Sequence, residues 1–245
     1  LTPCPGGSLQ LYVCIIQGGD GDERGRVVLS RRRGAGMSPR RPFQRAGEEA
    51  RRGALIAATL DLIAEGGPAA ATVRAIAARA DVTPGLIRHY FATKEDLVAA
   101  AHEALMTGLT DSAAARLDEL PNDPRARLRG FIVASVSPPV TDTRAMALWA
   151  ASMQLVPRDR AMRRVHEATY LAFRDRLAGL IADALRAAGR AADPATVRAH
   201  AIAGNALLDG LWIEAAAIPD HFSDTDLPGL ALSAFSRMLD LALED

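Results

Sequence analysis

Between Val73 and Leu97 the apolar positions recur at helical spacing in three short runs with polar breaks between them. Val73, Ile76, Ala77 and Ala80 form one stripe, preceded by Thr72 as a good N-cap. Asp81-Val82-Thr83 breaks that helix, and Thr83 followed by Pro84 starts the next one as N-cap and first helical residue. Ile87 and Phe91 give the second helix a narrow buried side. Its other positions, Pro84, Gly85, Arg88 and His89, are too small or too polar for a core. Thr93 then caps a third helix opening at Lys94. Two short helices joined this tightly predict a helix-turn-helix, whose second helix can enter the DNA major groove.

The same periodicity predicts helices for the rest. A helix over about Gly47–Glu65, stopped by Gly66-Gly67, turns Leu55, Ile56, Leu60 and Ile63 inward. Further helices are expected over Lys94 to about Leu120, Arg125–Ser135, Thr143–Leu155, Arg158–Ala188 and Ala195–Ile218, with a last one ending near Ala242. No strand pattern stands out after Lys94, so the expectation is an all-α chain of about nine helices. The expected organisation is a leader over 1–36, a helix-turn-helix domain over 37–95, and a larger helical domain over 96–245.

These residues resemble a known family. Thr72–Leu97 is similar to the DNA-binding region of TetR-type one-component regulators, and Arg52–Leu97 follows that family's N-terminal domain without a gap. Ile76, Ala77 and Ala80 match its helix-2 core, and Val82-Thr83 its Val-Ser turn. Ile87 and Phe91 match its recognition-helix anchors, and Lys94–Leu97 the opening of its fourth helix. Two positions depart: the family's turn glycine is Asp81 here, which strains the backbone if φ is positive, and Arg88 replaces an aromatic. The resemblance implies a homodimer joined through the last two long helices. Val197, Ile202, Ala206, Leu207, Leu211 and Ile213 are the expected face of one, with Leu230, Phe235, Met238, Leu239 and Leu241 on the other. Small residues (Ala201, Ala203, Gly204, Ala206) would allow close helix approach, and a purely intramolecular core is the competing role for both faces. Paired recognition helices then sit about 34 Å apart on a palindromic double-stranded operator.

Arg88 is the expected base reader, by bidentate pairing with guanine. Thr83, Pro84 and Gly85 allow close approach, and Leu86 is placed to meet a thymine methyl. Thr72, His89 and Tyr90 complete the expected contact set, with packing as the competing role for Tyr90. Lys94 is the sole lysine among 29 basic residues. It stands at a helix N-terminus, which suits it to one phosphate, and the matching lysine of the family touches the DNA backbone.

Charge supports this division modestly. Met37–Lys94 carries 9 Lys+Arg against 5 Asp+Glu, net +4, whereas Ala101–Asp245 carries 15 against 19, net −4. Leu1–Gly36 reads unlike the remainder, either as sequence preceding a natural start at Met37 or as a disordered basic arm. Both cysteines, Cys4 and Cys14, lie in it, so disulfides and thiolate metal sites are not expected in the folded part. The apolar run Leu9–Ile16 is too short to span a membrane, and no export signal is visible, so a cytoplasmic protein is expected.

The tryptophans suggest what the second domain senses. Ala145–Ala182 and Gly204–Ala216 resemble, more patchily, the C-terminal domain of the choline-sensing (BetI-type) repressors of the TetR group. A quaternary ammonium group calls for aromatic faces and a carboxylate. Trp149, Trp212, Tyr170 and Phe173 are candidate faces, Met153 lies beside them in sequence, and Asp209 or Glu214 is the candidate charge. Core or dimer packing is the competing role for both tryptophans. The expected output is repression relieved by a small-molecule effector, choline-like or another cationic or apolar compound. The alternative is a DNA-binding protein without an effector. No cofactor or metal is called for: no two histidines stand at metal-ligand spacing, and no phosphate loop or nucleophile elbow is present. An enzyme is therefore not expected.

Overall fold

The computed structural model describes residues 41–223 and 226–243, and within them every regular element is a helix. The expected leader over 1–36 lies outside the described residues. Nine α-helices follow in order among the described residues: α1 (Arg41–Gly66), α2 (Val73–Arg79), α3 (Pro84–Tyr90), α4 (Lys94–Ala115), α5 (Pro124–Ser135), α6 (Thr143–Met153), α7 (Arg160–Ala187), α8 (Pro194–Ala217) and α9 (Asp226–Leu239). A single 3₁₀ turn, Pro219–His221, separates the last two. No described helix is long and apolar enough to cross a membrane.

Helix starts are set by capping side chains. Asp123, Asp142, Asp159 and Asp193 each accept hydrogen bonds from first-turn amides of α5, α6, α7 and α8. This moves the start of α7 from the expected Arg158 to Arg160, because Asp159 serves as the cap. Helix α4 stops at Ala115 rather than Leu120. From Leu117 onward the amides bond three residues back, to Ala114, Ala115 and Leu117, in turns that carry Leu117 into the core. At the other end of α7, Gly189 takes φ +71°, a left-handed conformation that glycine adopts without steric cost.

Two apolar clusters organise the packing. One joins α4, α5, α7, α8 and α9 around Phe131, Leu177, Ile181, Leu208 and Phe235. The other joins Leu55, Ile76, Ala77, Ile87 and Phe91 of the first three helices and their connections to Leu97, Leu105 and Leu109 of α4. It also takes in Ala145, Leu148, Met162 and Trp212. Apolar contact therefore runs without interruption from the helix-turn-helix to α6, α7 and α8. Helix α4 crosses the domain boundary expected at 95–96.

The faces of α8 and α9 differ from the sequence expectation. Val197, Phe235 and Leu239 are core residues of the protomer, while Ile202, Ala206, Ile213 and Leu230 are exposed. Leu207, Leu211 and Met238 pack half-buried against the core, as does Leu241, which lies beyond the end of α9. The small residues divide likewise. A Cβ on Gly204 would come within 2.6 Å of the Phe235 ring, so its smallness serves α8–α9 packing inside the protomer. Ala203 and Ala206 face outward. Helical periodicity counts apolar positions around α8 but does not say which of its two apolar sides meets its own chain.

Candidate DNA-binding surface and effector cavity

Thr72 caps α2 by accepting the Ala75 amide at 3.2 Å, and Ile76 and Ala77 anchor the helix in the core. The turn bends at Asp81, whose φ of +52° is a left-handed conformation on a non-glycine residue. Thr83 is the N-cap residue of α3, as expected, but its side chain makes no capping bond. Helix α3 is thus held by Pro84 at its first position, by buried Ile87, and by buried Phe91 after its end. Around that anchor, Thr83, Pro84, Gly85, Arg88 and His89 are exposed, with Leu86 and Tyr90 half-buried. The Tyr90 ring meets His89 edge-on at 5.1 Å.

Among the described residues, a Cβ on Gly85 would meet no atom within 4 Å. Its missing side chain therefore answers to no packing need among those residues and leaves the helix surface open to a close external approach.

Lys94, half-buried, opens α4 directly after Thr93. Thr93 and Asp96 form a reciprocal capping box, with Asp96 N–H donating to Thr93 Oγ1 at 3.0 Å and Thr93 N–H to Asp96 Oδ2 at 3.1 Å. The Asp96 carboxylate already occupies part of this helix N-terminus, so an anion here depends chiefly on the Lys94 charge. Sequence reasoning missed one more cation: exposed Arg52 holds its guanidinium 5.2 Å from the centre of the Phe91 ring, beside the end of α3.

The second site is a cavity of about 60 Å³ deep in the C-terminal part. Met106, Leu109, Thr110 and Ala113 of α4 form one wall; Tyr170 and Phe173 of α7 form another. Asn205, Leu208, Asp209 and Trp212 of α8 face them, and Ser135 and Val140 complete the lining. Four of the six residues expected at an effector site, Tyr170, Phe173, Asp209 and Trp212, are together here. Trp149 stands behind Trp212, their ring centres 5.5 Å apart, and half-buried Met153 is outside the wall. Glu214 is exposed, which leaves Asp209 as the carboxylate of the site.

Asp209 is held by its neighbours. The Tyr170 hydroxyl donates to Asp209 Oδ2, and Asn205 Nδ2 donates to the same oxygen at 2.9 Å and to the Tyr170 hydroxyl at 2.6 Å. Burial pushes the Asp209 carboxyl above its ordinary range, against those two hydrogen bonds, which favour the charged form. Burial and the neighbouring carboxylate push the Tyr170 hydroxyl up to about 12. A cation entering this apolar space would relieve the desolvated carboxylate; an anion would oppose it.

His166 stacks on Tyr170 with ring centres 5.3 Å apart, and its Nδ1 lies 3.3 Å from Nε2 of buried His102 on α4. His102, His166 and Asn205 were not legible as site residues, although Asn205 stands one helical turn before Asp209 on α8. Among the described residues no cluster of three or more His, Cys, Asp and Glu is placed to hold a metal ion.

Residues 55–101 match the family model for bacterial regulatory proteins of the tetR family. Residues 124–240 match the model for the C-terminal part of BetI-type transcriptional repressors. The HTH-type transcriptional regulator BetI of Paraburkholderia phytofirmans is 34% identical over 200 residues, covering 80% of this chain and 94% of that protein. The chain belongs to the TetR family. Its C-terminal part is of the BetI type, and the matched families and relatives are transcriptional regulators, so this is a DNA-binding regulator and not an enzyme. A transcriptional regulator from Pseudomonas aeruginosa PAO1 shares the fold with a TM-score of 0.72 and 32% identity, over 83% of this chain and 96% of that one. A regulator from Saccharomonospora viridis, solved in complex with choline, has a TM-score of 0.64 at 21% identity over 78% and 96% of the two chains. At that identity the likeness concerns the fold alone.

Within this TetR-family chain the two sites share one helix. Met106 is 12 residues beyond Lys94 on α4, about 18 Å along the axis at 1.5 Å per residue. Trp212 both lines the cavity and belongs to the apolar cluster beneath α2 and α3.

Proposed function

We propose that this regulator is a homodimeric repressor released from a palindromic operator by a compact cationic or apolar effector, choline-like in its chemistry. The observation that carries the reading is the cavity wall on α4, because the helix that a ligand would press is the helix that opens with Lys94. The aromatic faces of Tyr170, Phe173 and Trp212, with Asp209 as the single wall carboxylate, suit a small organic cation. A regulator of the same fold, from Saccharomonospora viridis, has been solved with choline bound. A ligand that binds better when α4 is tilted shifts the protein toward that state, by no more than its difference in affinity for the two. The shift would displace Lys94 and α3 together and lose several phosphate contacts at once.

In the operator complex Arg88 reads a base, Lys94 holds a phosphate, and Thr72, Thr83, Pro84, Gly85, Leu86, His89 and Tyr90 frame the contact. Fluorescence anisotropy against DNA from upstream of the protein's own gene, at two salt concentrations and with added choline, tests the whole reading. Tight, salt-sensitive binding that choline weakens is the expected result. In the same assay Arg88→Ala should cost about 1–3 kcal/mol at one base position, while Lys94→Ala weakens all sequences alike and lowers the salt slope by about 1. Operator binding indifferent to choline and to other small cations would leave a regulator without this effector class. Binding equal on unrelated DNA would remove the base-reading role of Arg88.

A further inference from the structure

Arg79 closes α2, the first helix of the helix-turn-helix, yet its charge is turned inward on the protein. Its guanidinium makes a bidentate pair with Glu65 on α1, Nη1 to Oε1 at 2.8 Å and Nη2 to Oε2 at 2.6 Å. It also lies 3.9 Å from Asp61, one turn earlier on α1. The other oxygen of Asp61 accepts a hydrogen bond from Arg144 Nη2 at 2.5 Å. Arg144 is the second residue of α6, 83 positions away in sequence. Four side chains from three helices thus form one strap running from α6 through α1 to α2.

The geometry points to Arg144 as a positioning residue for DNA binding: from the C-terminal part of the chain it braces the helix-turn-helix through Asp61 and Arg79. Asp61 is the least exposed member, with 20% of its side-chain surface open, and it stands between two guanidinium groups. Without Arg144 it is left to Arg79 alone and draws that guanidinium away from Glu65. The orientation of α2 then changes, and with it that of α3, which follows α2 after four residues. The other side of α6 leads to the cavity, because Trp149 lies against Trp212 of its wall. Movement at the cavity can therefore reach the helix-turn-helix along α6 as well as along α4. That last link rests on the effector reading above, whereas the brace itself requires only that the helix-turn-helix binds DNA.

The test uses the full chain, a duplex selected by the wild-type protein from a random-sequence library, and hydrogen exchange of the backbone amides. Arg144→Gln should weaken binding to that duplex by about two- to five-fold, the range for a partly exposed ion pair. It should also speed exchange across residues 73–90 relative to α7–α9, at nearly unchanged melting temperature. Arg144→Lys, which keeps the charge, should restore most of both. In an Asp61→Asn background Arg144→Gln should add nothing. Unchanged exchange over 73–90 in Arg144→Gln, or an equal loss of affinity with and without Asp61, would overturn the brace while the regulator reading stands. A wild-type protein that selects no duplex would overturn the regulator reading and, with it, the role of Arg144 in DNA binding.

Discussion

Gly85 separates what the fold needs from what the ligand needs. Glycine inside a helix costs up to about 1 kcal/mol relative to alanine. At Gly204 a Cβ would collide internally, with Phe235; at Gly85 a Cβ meets no other atom of the described residues within 4 Å. The Gly85→Ala variant should therefore be slightly more stable than the wild type, by up to about 1 kcal/mol, yet bind the operator less tightly. Thermal melting and anisotropy on the same preparation decide it. If alanine left operator affinity unchanged, Gly85 would lie outside the contact surface. Arg79 makes the complementary point, since it is a basic residue beside the turn whose charge the protein itself consumes.

Helices α4 and α7 meet through an unusual pair. His102 is buried, and its Nδ1 has no hydrogen-bond partner among the described residues, while its Nε2 faces Nδ1 of His166. Burial first, and then the proximity of His166, lowers the His102 pKa to about 4. A histidine depressed in the folded state is neutral there while its unfolded counterpart takes up a proton below about 6.5. Its contribution to stability is thus intact above that pH and is lost as pH falls from about 6.5 to 4, by up to about 3 kcal/mol. Burial lowers His166 in the same direction, while Asp209, raised by burial, acts in the opposite sense as pH rises above its unfolded value of 3.8. The difference between wild type and His102→Phe isolates the first effect. The variant should lose less stability between pH 6.5 and 4 in denaturant titrations, and parallel pH profiles would refute the assignment. At this scale the sequence was informative about helices and poor about pairs. Periodicity and capping residues placed the helices to within a few residues at most ends, because those signals are local. The Arg144–Asp61 bond, the His102–His166 contact and the Tyr170–Asp209 bond join residues 39 to 83 positions apart. No spacing rule reaches that far. Asp81 is an intermediate case: it stands where the family has its turn glycine, which raised the question of a positive φ, and the structure gives it φ +52°.

At the scale of the whole molecule the exposed side of α8 is the feature that one protomer leaves unexplained. Ile202, Ala206, Gly210, Ile213 and Ala217 recur every three or four residues, with Ala203 beside Ile202, all exposed, Ile202 at 38% and Ile213 at 43%. Leu230 of α9 is exposed as well, at 49%. Such a stripe of small and branched apolar residues suits a second copy of the same two helices, which is the homodimer proposed above. Two recognition helices joined in this way bind two half-sites, and the second contact becomes intramolecular. Linkage of this kind raises affinity by about 10²–10⁴-fold without any new contact to DNA. Ile213→Arg places a charge in the middle of the stripe, where it would be desolvated against its own symmetry mate. The variant should sediment as a folded monomer with unchanged helical content and lose at least about 100-fold in affinity for a full operator. Its affinity for an isolated half-site should stay near that of the wild type, because Arg88, Gly85 and Lys94 are untouched. Should Ile213→Arg remain dimeric, the partner would have to be sought on another face of α8 and α9.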